Sequence, residues 1–314
     1  MTQTTPTTPA TGASTPGIAM ALSAFGWWAL VTPLYFHVLR EIPAEQQLAW
    51  RVVSGLPTML LILLATRRLR ELGAILRAPG VLALLLCSAC LLAINWFTFT
   101  WAVLENRLME GSLGYYINPL VSVLLGAVFL GERLRGLQQL SVAIAAVGVV
   151  LMTIALGHLP WVSLILAFSF GIYGLIRKQV RAAPGPGLTV EMMLMLPVMI
   201  GLLVLAGDDV RPGVLSVPWV WALLLLAGPQ TVVPLLLYTG AARRITLSTL
   251  GLLQFTAPTG QLLLAVLLLG EPFEALEVLA FVLIWIAVLL YSTDTWRRAR
   301  QVREVVPWTV PEPE

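Results

Sequence analysis

Long apolar runs constrain this chain more than any other feature. Leu137 to Leu156 and Ile245 to Leu269 contain no charged side chain, and about 20 apolar residues are what a helix needs to cross a hydrocarbon core of about 30 Å. With 58% of its 314 residues hydrophobic and only 11% charged, the chain could not cover its own surface in water. Its solvent is largely lipid.

Its formal charge is +3. A nucleic-acid partner would require the basic residues to cluster on one face or segment, but they sit in short groups between apolar runs, so no nucleic acid is expected. Cys87 and Cys90 form a CxxC within the run Val81 to Ala93. They read as two small buried hydrophobes of a helix, with no redox or metal role. Residues 1–16 are rich in Thr, Pro and Ala and lack Lys and Arg. A secretory signal needs a basic start, so this segment is expected to be a disordered cytoplasmic tail before an uncleaved first helix.

Apolar runs bounded by charges, Pro and Gly predict ten spans, at 17–36, 44–65, 80–101, 112–130, 136–156, 160–177, 190–206, 217–239, 246–269 and 275–292. Alternate loops collect 15 of the 19 basic residues, whereas the opposite side holds Arg40, Arg107 and Arg211, and Arg51 falls inside a span. Cytoplasmic loops retain positive charge, so both termini are expected in the cytoplasm, with residues 294–314 as a second tail. Trp161, Trp219 and Trp221 fall at the expected outer interface.

An internal repeat follows from two matching segments. Pro119, Gly131 and Glu132 recur as Pro258, Gly270 and Glu271, all three at one constant offset. The offset sets the fourth span against the ninth, so each unit holds five helices, 17–156 and 157–293. Five is odd, and the second unit enters the membrane from the other side. The expected fold is an all-α polytopic membrane protein of ten helices in two inverted five-helix repeats, an architecture in which two halves rock about a site near the midplane.

Polar side chains within membrane helices face the interior or a watery cavity. The second span carries Gln47, Arg51, Ser54 and Thr58 on one stripe; the first offers Trp28, Thr32 and Tyr35; the third Asn95 and Thr98; the fourth Tyr115, Asn118 and Ser122. In the second unit the candidates are Ser169 and Tyr173, then Gln230 and Tyr238, then Gln254 and Gln261. Hydrogen bonding between helices, worth about 0.6 kcal/mol per pair, is the plainer role for any one of them. The fifth and tenth spans lack a stripe and should brace each half, leaving a central cavity lined by spans one to four and six to nine. Arg51 stands apart, because a cation near the bilayer centre costs roughly 2.5–3.5 kcal/mol even on the lenient scale. It is the first candidate for substrate binding, joined by Gln47, Trp28, Tyr35, Asn95, Thr98, Tyr115, Asn118, Tyr173, Gln230, Tyr238 and Gln254.

An intramembrane enzyme would need paired carboxylates, a metal cluster or a nucleophile with its base; the spans offer none, and no cofactor or metal is expected. A channel, the alternative reading, would have a continuous polar pore or a charged ring, and the stripes are sparse. All sixteen acidic residues fall in loops, tails or span ends. Facilitated diffusion or exchange, or coupling only through the charge of the substrate itself, is therefore expected, with no proton carried on an intramembrane carboxylate, Glu105 and Glu277 being the residues closest to an exception.

The strings SLGYYINPLVSVLLGAVFLGERL (Ser112 to Leu134) and PLLLYTGAARRITLSTLGLLQFTAPTGQLLLAVLLLGEPF (Pro234 to Phe273) resemble the drug/metabolite transporter superfamily, and within it the RarD-type members of the EamA family. The resemblance spans Gly17 to Asp294 and implies ten helices in inverted repeats and a secondary transporter exporting small amphiphilic metabolites or drugs across the bacterial inner membrane, as a monomer or homodimer without a cofactor. It also implies Glu and His flanking the arginine of the second span, where this chain has Gln46 and Trp50, and Lys where it has His37.

Overall fold

In a computed structural model of the protein, the residues described are 15–130, 136–205, 217–242, 244–245 and 253–305. Their regular structure is helical throughout. α1 spans Thr15–Val38, α2 Ala44–Ala65, α3 Leu69–Leu76, α4 Pro79–Leu104, α5 Leu108–Leu130, α6 Gly136–Leu156, α7 Trp161–Gln179, α8 Pro184–Leu205, α9 Pro218–Ala242, α10 Thr256–Leu267 and α11 Ala275–Val305.

Ten spans are expected from the sequence. Among the described residues five helices are long and apolar enough to cross a membrane: α1, α2, α4, α8 and, within α9, Pro218–Tyr238. Shorter apolar helical stretches are Gln139–Ala155, Trp161–Arg177, Thr256–Leu267 and Ala275–Ala287. The chain is thus an all-α polytopic membrane protein. Apolar side chains such as Leu61, Phe129, Val204 and Leu205 stand outward and exposed, as they do when lipid is the solvent.

Three boundaries differ from the sequence reading. α8 begins at Pro184, well before the expected start at 190, because Pro184 and Pro186 fall in the first turn, where a helix has no use for their missing N–H groups. α11 runs on to Val305, past the expected end at 292. α3, not expected at all, lies between two long helices with Leu72 and Ile75 buried, and Arg68 pairs with Glu71 at 2.6 Å beside its exposed face. Cys87 and Cys90 are also placed differently: both are exposed, because α4 turns Leu85, Ser88, Ala89 and Leu92 inward and presents its other face outward.

The helices keep the repeat. α2 starts at Ala44 and α8 at Pro184, α4 at Pro79 and α9 at Pro218, α6 at Gly136 and α11 at Ala275, so the offset that separates Pro119 from Pro258 recurs almost unchanged. α2 packs against α8, α5 against α10 and α6 against α11, while the contact of α4 with α7 has its counterpart in that of α9 with α1. The tightest crossing joins α2 to α9 at Gly228, where a Cβ would overlap the backbone of Ser54 and Gly55. Ser54 closes that crossing, its Oγ accepting the Gly228 N–H at 2.8 Å.

The Gly-Glu pair of the repeat has a local explanation at its second copy. Gly270 adopts φ +69, a left-handed turn that a residue with a Cβ resists. The turn delivers Glu271 to the start of α5, where its two carboxylate oxygens accept the N–H groups of Leu108 at 2.7 Å and Met109 at 2.8 Å. Glu271 therefore caps a helix distant in sequence, filling donors that helix has no partner for. Gly131 and Glu132, the first copy, lie outside the described residues.

Candidate functional site

A cavity of about 460 Å³ lies among the helices, a size typical of small-molecule sites. Its walls come from α1, α2, α4, α5, α7, α8, α9 and α10 with the residues just before it. Among the described residues α6 and α11 contribute nothing to the walls, as expected for spans five and ten. The two pack on each other, so they brace the halves together rather than each half alone.

On the cavity wall stands Arg51, the eighth residue of α2 and 6% exposed. Its Nε donates to Thr231 Oγ1 at 3.0 Å, and that hydroxyl passes its own proton to Ala227 O at 2.9 Å. The guanidinium carbon lies 4.3 Å from the ring centroid of Trp96 and 5.2 Å from that of Phe36. Nη1 is buried without a hydrogen-bond partner, and no carboxylate pairs with Arg51 among the described residues. A cation–π contact is worth about 0.5–2 kcal/mol, whereas a cation deep in a membrane helix costs roughly 2.5–3.5 kcal/mol. Two rings and one hydroxyl offset much of that cost, but Nη1 keeps a donor that no described residue fills.

Around Arg51 the wall is amphiphilic. Tyr115 donates to Asn95 Oδ1 at 3.3 Å, and Asn95 Nδ2 donates to Leu166 O at 3.1 Å and Ser169 Oγ at 3.0 Å, joining α5, α4 and α7. Trp28 packs among Phe25 and Tyr238 with ring centroids 5.9 Å from each. It lies in a π-helical stretch, Trp27–Val31. Pro33 has no N–H to offer Trp28 O, and Gln261 Nε2 from α10 supplies one at 3.0 Å. An irregular turn satisfied from another helix is a frequent mark of a functional site.

Of the twelve candidates, Arg51, Trp28, Asn95, Tyr115, Tyr173, Tyr238 and Gln254 line the cavity. The structure sets the other five elsewhere. Gln47 donates to Leu39 O and Ile42 O, both at 2.9 Å, and so holds the α1–α2 turn. Tyr35 donates to Leu223 O at 2.7 Å, and Gln230 to Thr32 Oγ1 at 2.7 Å. Thr98 and Asn118 are buried off the wall. The second-span stripe does face inward, but only Arg51 reaches the cavity; Ser54 and Gln47 hold helices and turns.

The cavity wall also carries a member of a pair that the sequence reading assigned to loops and span ends. Arg177 of α7 lines the cavity, and its Nη1 meets Glu191 Oε1 at 3.3 Å. Glu191 is the eighth residue of α8 and fully buried; Ser88 of α4 also donates to it. The expectation that every acidic residue falls in a loop, a tail or a span end thereby fails at Glu191. Its cause is the early start of α8: read as a breaker, Pro184-Gly185-Pro186-Gly187 left Glu191 at an end, whereas read as a first turn it places Glu191 two turns inside. Gly187 leaves room for the pair as it stands: a Cβ there would overlap the Arg177 guanidinium and make it shift.

Outside the spans, burial pushes the Glu271 carboxyl up to about 7, against the opposing pull of the Met109 and Leu108 N–H groups, with Glu110 and Glu277 raising it further. Exposed Glu71 is held low by its hydrogen bond from Arg68.

The sequence profile of the EamA-like transporter family matches residues 15–154 and 160–293. The chain is 43% identical to the uncharacterized transporter PA0485 of Pseudomonas aeruginosa, over 91% of this chain and 96% of that one. It is 39% identical to the protein RarD of Salmonella typhimurium, over 88% and 95%. One solved structure superposes with a TM-score of 0.59 at 20% identity, covering 89% of this chain and 98% of its own; that likeness is one of fold.

Proposed function

Because the chain belongs to the EamA-like transporter family, and is a secondary transporter of small molecules across the bacterial membrane rather than an enzyme, we propose that it exports small amphiphilic anions, metabolites or drugs, by alternating access. Arg51 carries this reading: a buried cation with an unpartnered Nη1, on the wall of a cavity to which aromatic rings such as Trp28, Trp96 and Tyr115 also contribute. A carboxylate or similar group would supply the missing countercharge, and the rings would take the apolar remainder.

In this proposal the protein crosses the inner membrane ten times, in two inverted halves, 17–156 and 157–293. The constant spacing of helix starts and the doubled family match support it. Both termini are cytoplasmic and Asp208 is outside, on the bias of the basic residues; Asp208 and the tail residues 1–14 lie outside the described residues. A cysteine placed at Gln301 should resist labelling from the periplasm.

The test compares three near-isosteric ligands on purified protein: phenylacetate, uncharged phenylacetamide and cationic phenethylamine. The anion should bind at least tenfold more tightly than the amide, and Arg51→Gln should abolish that preference while the protein stays folded. Equal affinity for all three, or a preference untouched by Arg51→Gln, would refute the anion reading.

A further inference from the structure

Glu191 is a carboxylate built into the interior with a single cation among the described residues to balance it. Its Oε1 receives Ser88 Oγ and Arg177 Nη1, but Oε2 is buried without a partner. The elements packed on α8 bring it little else. From α7 come Arg177 and the Tyr173 hydroxyl, which lies within electrostatic range. α4 brings Ser88. α2 and α3 present Leu63, Leu72 and Ile75, which cluster with neighbouring Val190, and Glu71 of α3 is exposed and engaged with Arg68. Arg177 is therefore the one countercharge among the described residues, and Arg177 is also a wall of the cavity.

That shared residue links two charges that cannot both be satisfied. An anion that draws the Arg177 guanidinium toward the cavity strips Glu191 of its partner. A buried carboxylate without a countercharge is far less stable than its protonated form. We propose that Glu191 is the proton-carrying site of this transporter, Arg177 exchanging its ion pair with Glu191 for one with the anionic substrate while Glu191 takes up a proton from cavity water. When the substrate leaves, the proton leaves with it and the Arg177–Glu191 pair re-forms. A monovalent anion and one proton thus move together, with no net charge, so outward transport is driven by the substrate's own gradient and opposed by an inward pH gradient. The exchange rests on the anion reading given above for Arg51, but the protonation of Glu191 can be measured without any substrate.

The architecture supports the exchange in two further ways. Arg177 is held weakly for a buried pair, at 3.3 Å to Glu191 with a second bond from Nη2 to Pro184 O at 3.2 Å, so its release disrupts little else. Arg51 and Glu191 occupy the same position, the eighth, in α2 and α8, the helices that correspond across the repeat, so each half places its charge at the matching depth.

Two measurements on the purified full chain decide the matter. In infrared difference spectra without ligand, Arg177→Gln should show a protonated carboxyl band at pH 7 that is missing from the Arg177→Gln/Glu191→Gln double variant. Gly187→Ala should show the same band without altering either charge, because it displaces the guanidinium. In lightly buffered solution with a pH indicator, phenylacetate should bring about one proton per anion bound to the wild type and none to Glu191→Gln. Absence of the infrared band in Arg177→Gln overturns the proposal, and so does proton uptake that persists in Glu191→Gln or binding to the wild type without uptake. Failure of phenylacetate to bind counts against the anion reading of Arg51, and the infrared result then decides Glu191 by itself.

Discussion

Two arginines on the cavity wall are held under opposite terms. Arg51 is buried against the faces of Trp96 and Phe36, bonded to a neutral hydroxyl, with one nitrogen unpartnered. Arg177 is partly exposed to the cavity and paired with a fully buried carboxylate. An ion pair in a low-dielectric interior barely recovers its desolvation cost, yet removing one partner is severe. A lone cation held by aromatic faces is the reverse case: with a donor unfilled as it stands, it gains most when a ligand arrives. The difference separates a cation with no anionic partner among the described residues from one that must leave such a partner to meet a substrate.

The largest effect should come from breaking the balanced pair. Arg177→Gln strips Glu191 of its countercharge, and loss of one member of a buried pair costs on the order of 3–5 kcal/mol. Thermal unfolding at pH 8 should fall by many degrees, and adding Glu191→Gln should restore most of it. Full stability in the single variant would mean that the pair has no more weight than a surface contact.

At Arg51 stability and binding should part company. Arg51→Gln removes a buried cation with an unfilled donor, so the melting temperature should hold or rise while affinity for phenylacetate drops at least tenfold, or about 1.4 kcal/mol. A melting temperature that collapses as in Arg177→Gln would erase the contrast between the two arginines. Trp96→Leu sharpens the same point: loss of the closer ring should weaken anion binding by about 0.5–2 kcal/mol by letting the guanidinium wander, with little change at Arg177.

The smallest effect belongs to a carboxylate that touches neither arginine. Glu271 has its folded value raised from 4.5 to about 7, so between those values the folded protein binds more protons than the unfolded chain. Stability from this group is full at low pH and is lost as pH rises through about 7. Melting temperature should therefore decline by a few degrees from pH 5 to pH 8, and Glu271→Gln should flatten that decline. The direction is opposite to that of Glu71, which its hydrogen bond from Arg68 holds low.

Much of this was legible in the sequence because lipid leaves few options. Apolar length announces helices, and the Pro and Gly-Glu spacing announces a repeat whose offset the starts of α2, α4 and α6 keep against those of α8, α9 and α11. The lining helices followed from which spans carried polar residues. What escaped was local. A polar stripe says which face turns inward but not what it meets, so Gln47 and Ser54 looked like Arg51 until their carbonyl and helix partners were seen. Arg177 counted as a loop charge and Glu191 as a span end because Pro and Gly read as breakers when they stand in a first turn. The available signal was that Glu191 follows Arg51 at nearly the offset of the repeat, and it could have been weighed against the breaker reading.

The carboxylate cap at Glu271 has a mechanical side. Residues 108–116 of α5 are tied to α10 and the turn after it at separate points: Glu271 to Leu108 and Met109, Ser112 to Pro258 O at 2.7 Å, and Tyr116 to Thr259. Fastened along three turns, these segments from opposite halves of the chain form a stiff strut, so motion there tilts the whole strut instead of sliding one helix past the other. Tyr115 and Gln261 ride on it, the first bonded to Asn95 and the second to the carbonyl of Trp28. Tilting the strut therefore pulls on α4 and on the irregular turn of α1 together, and a displacement at the capped end reaches two walls of the cavity in one stroke.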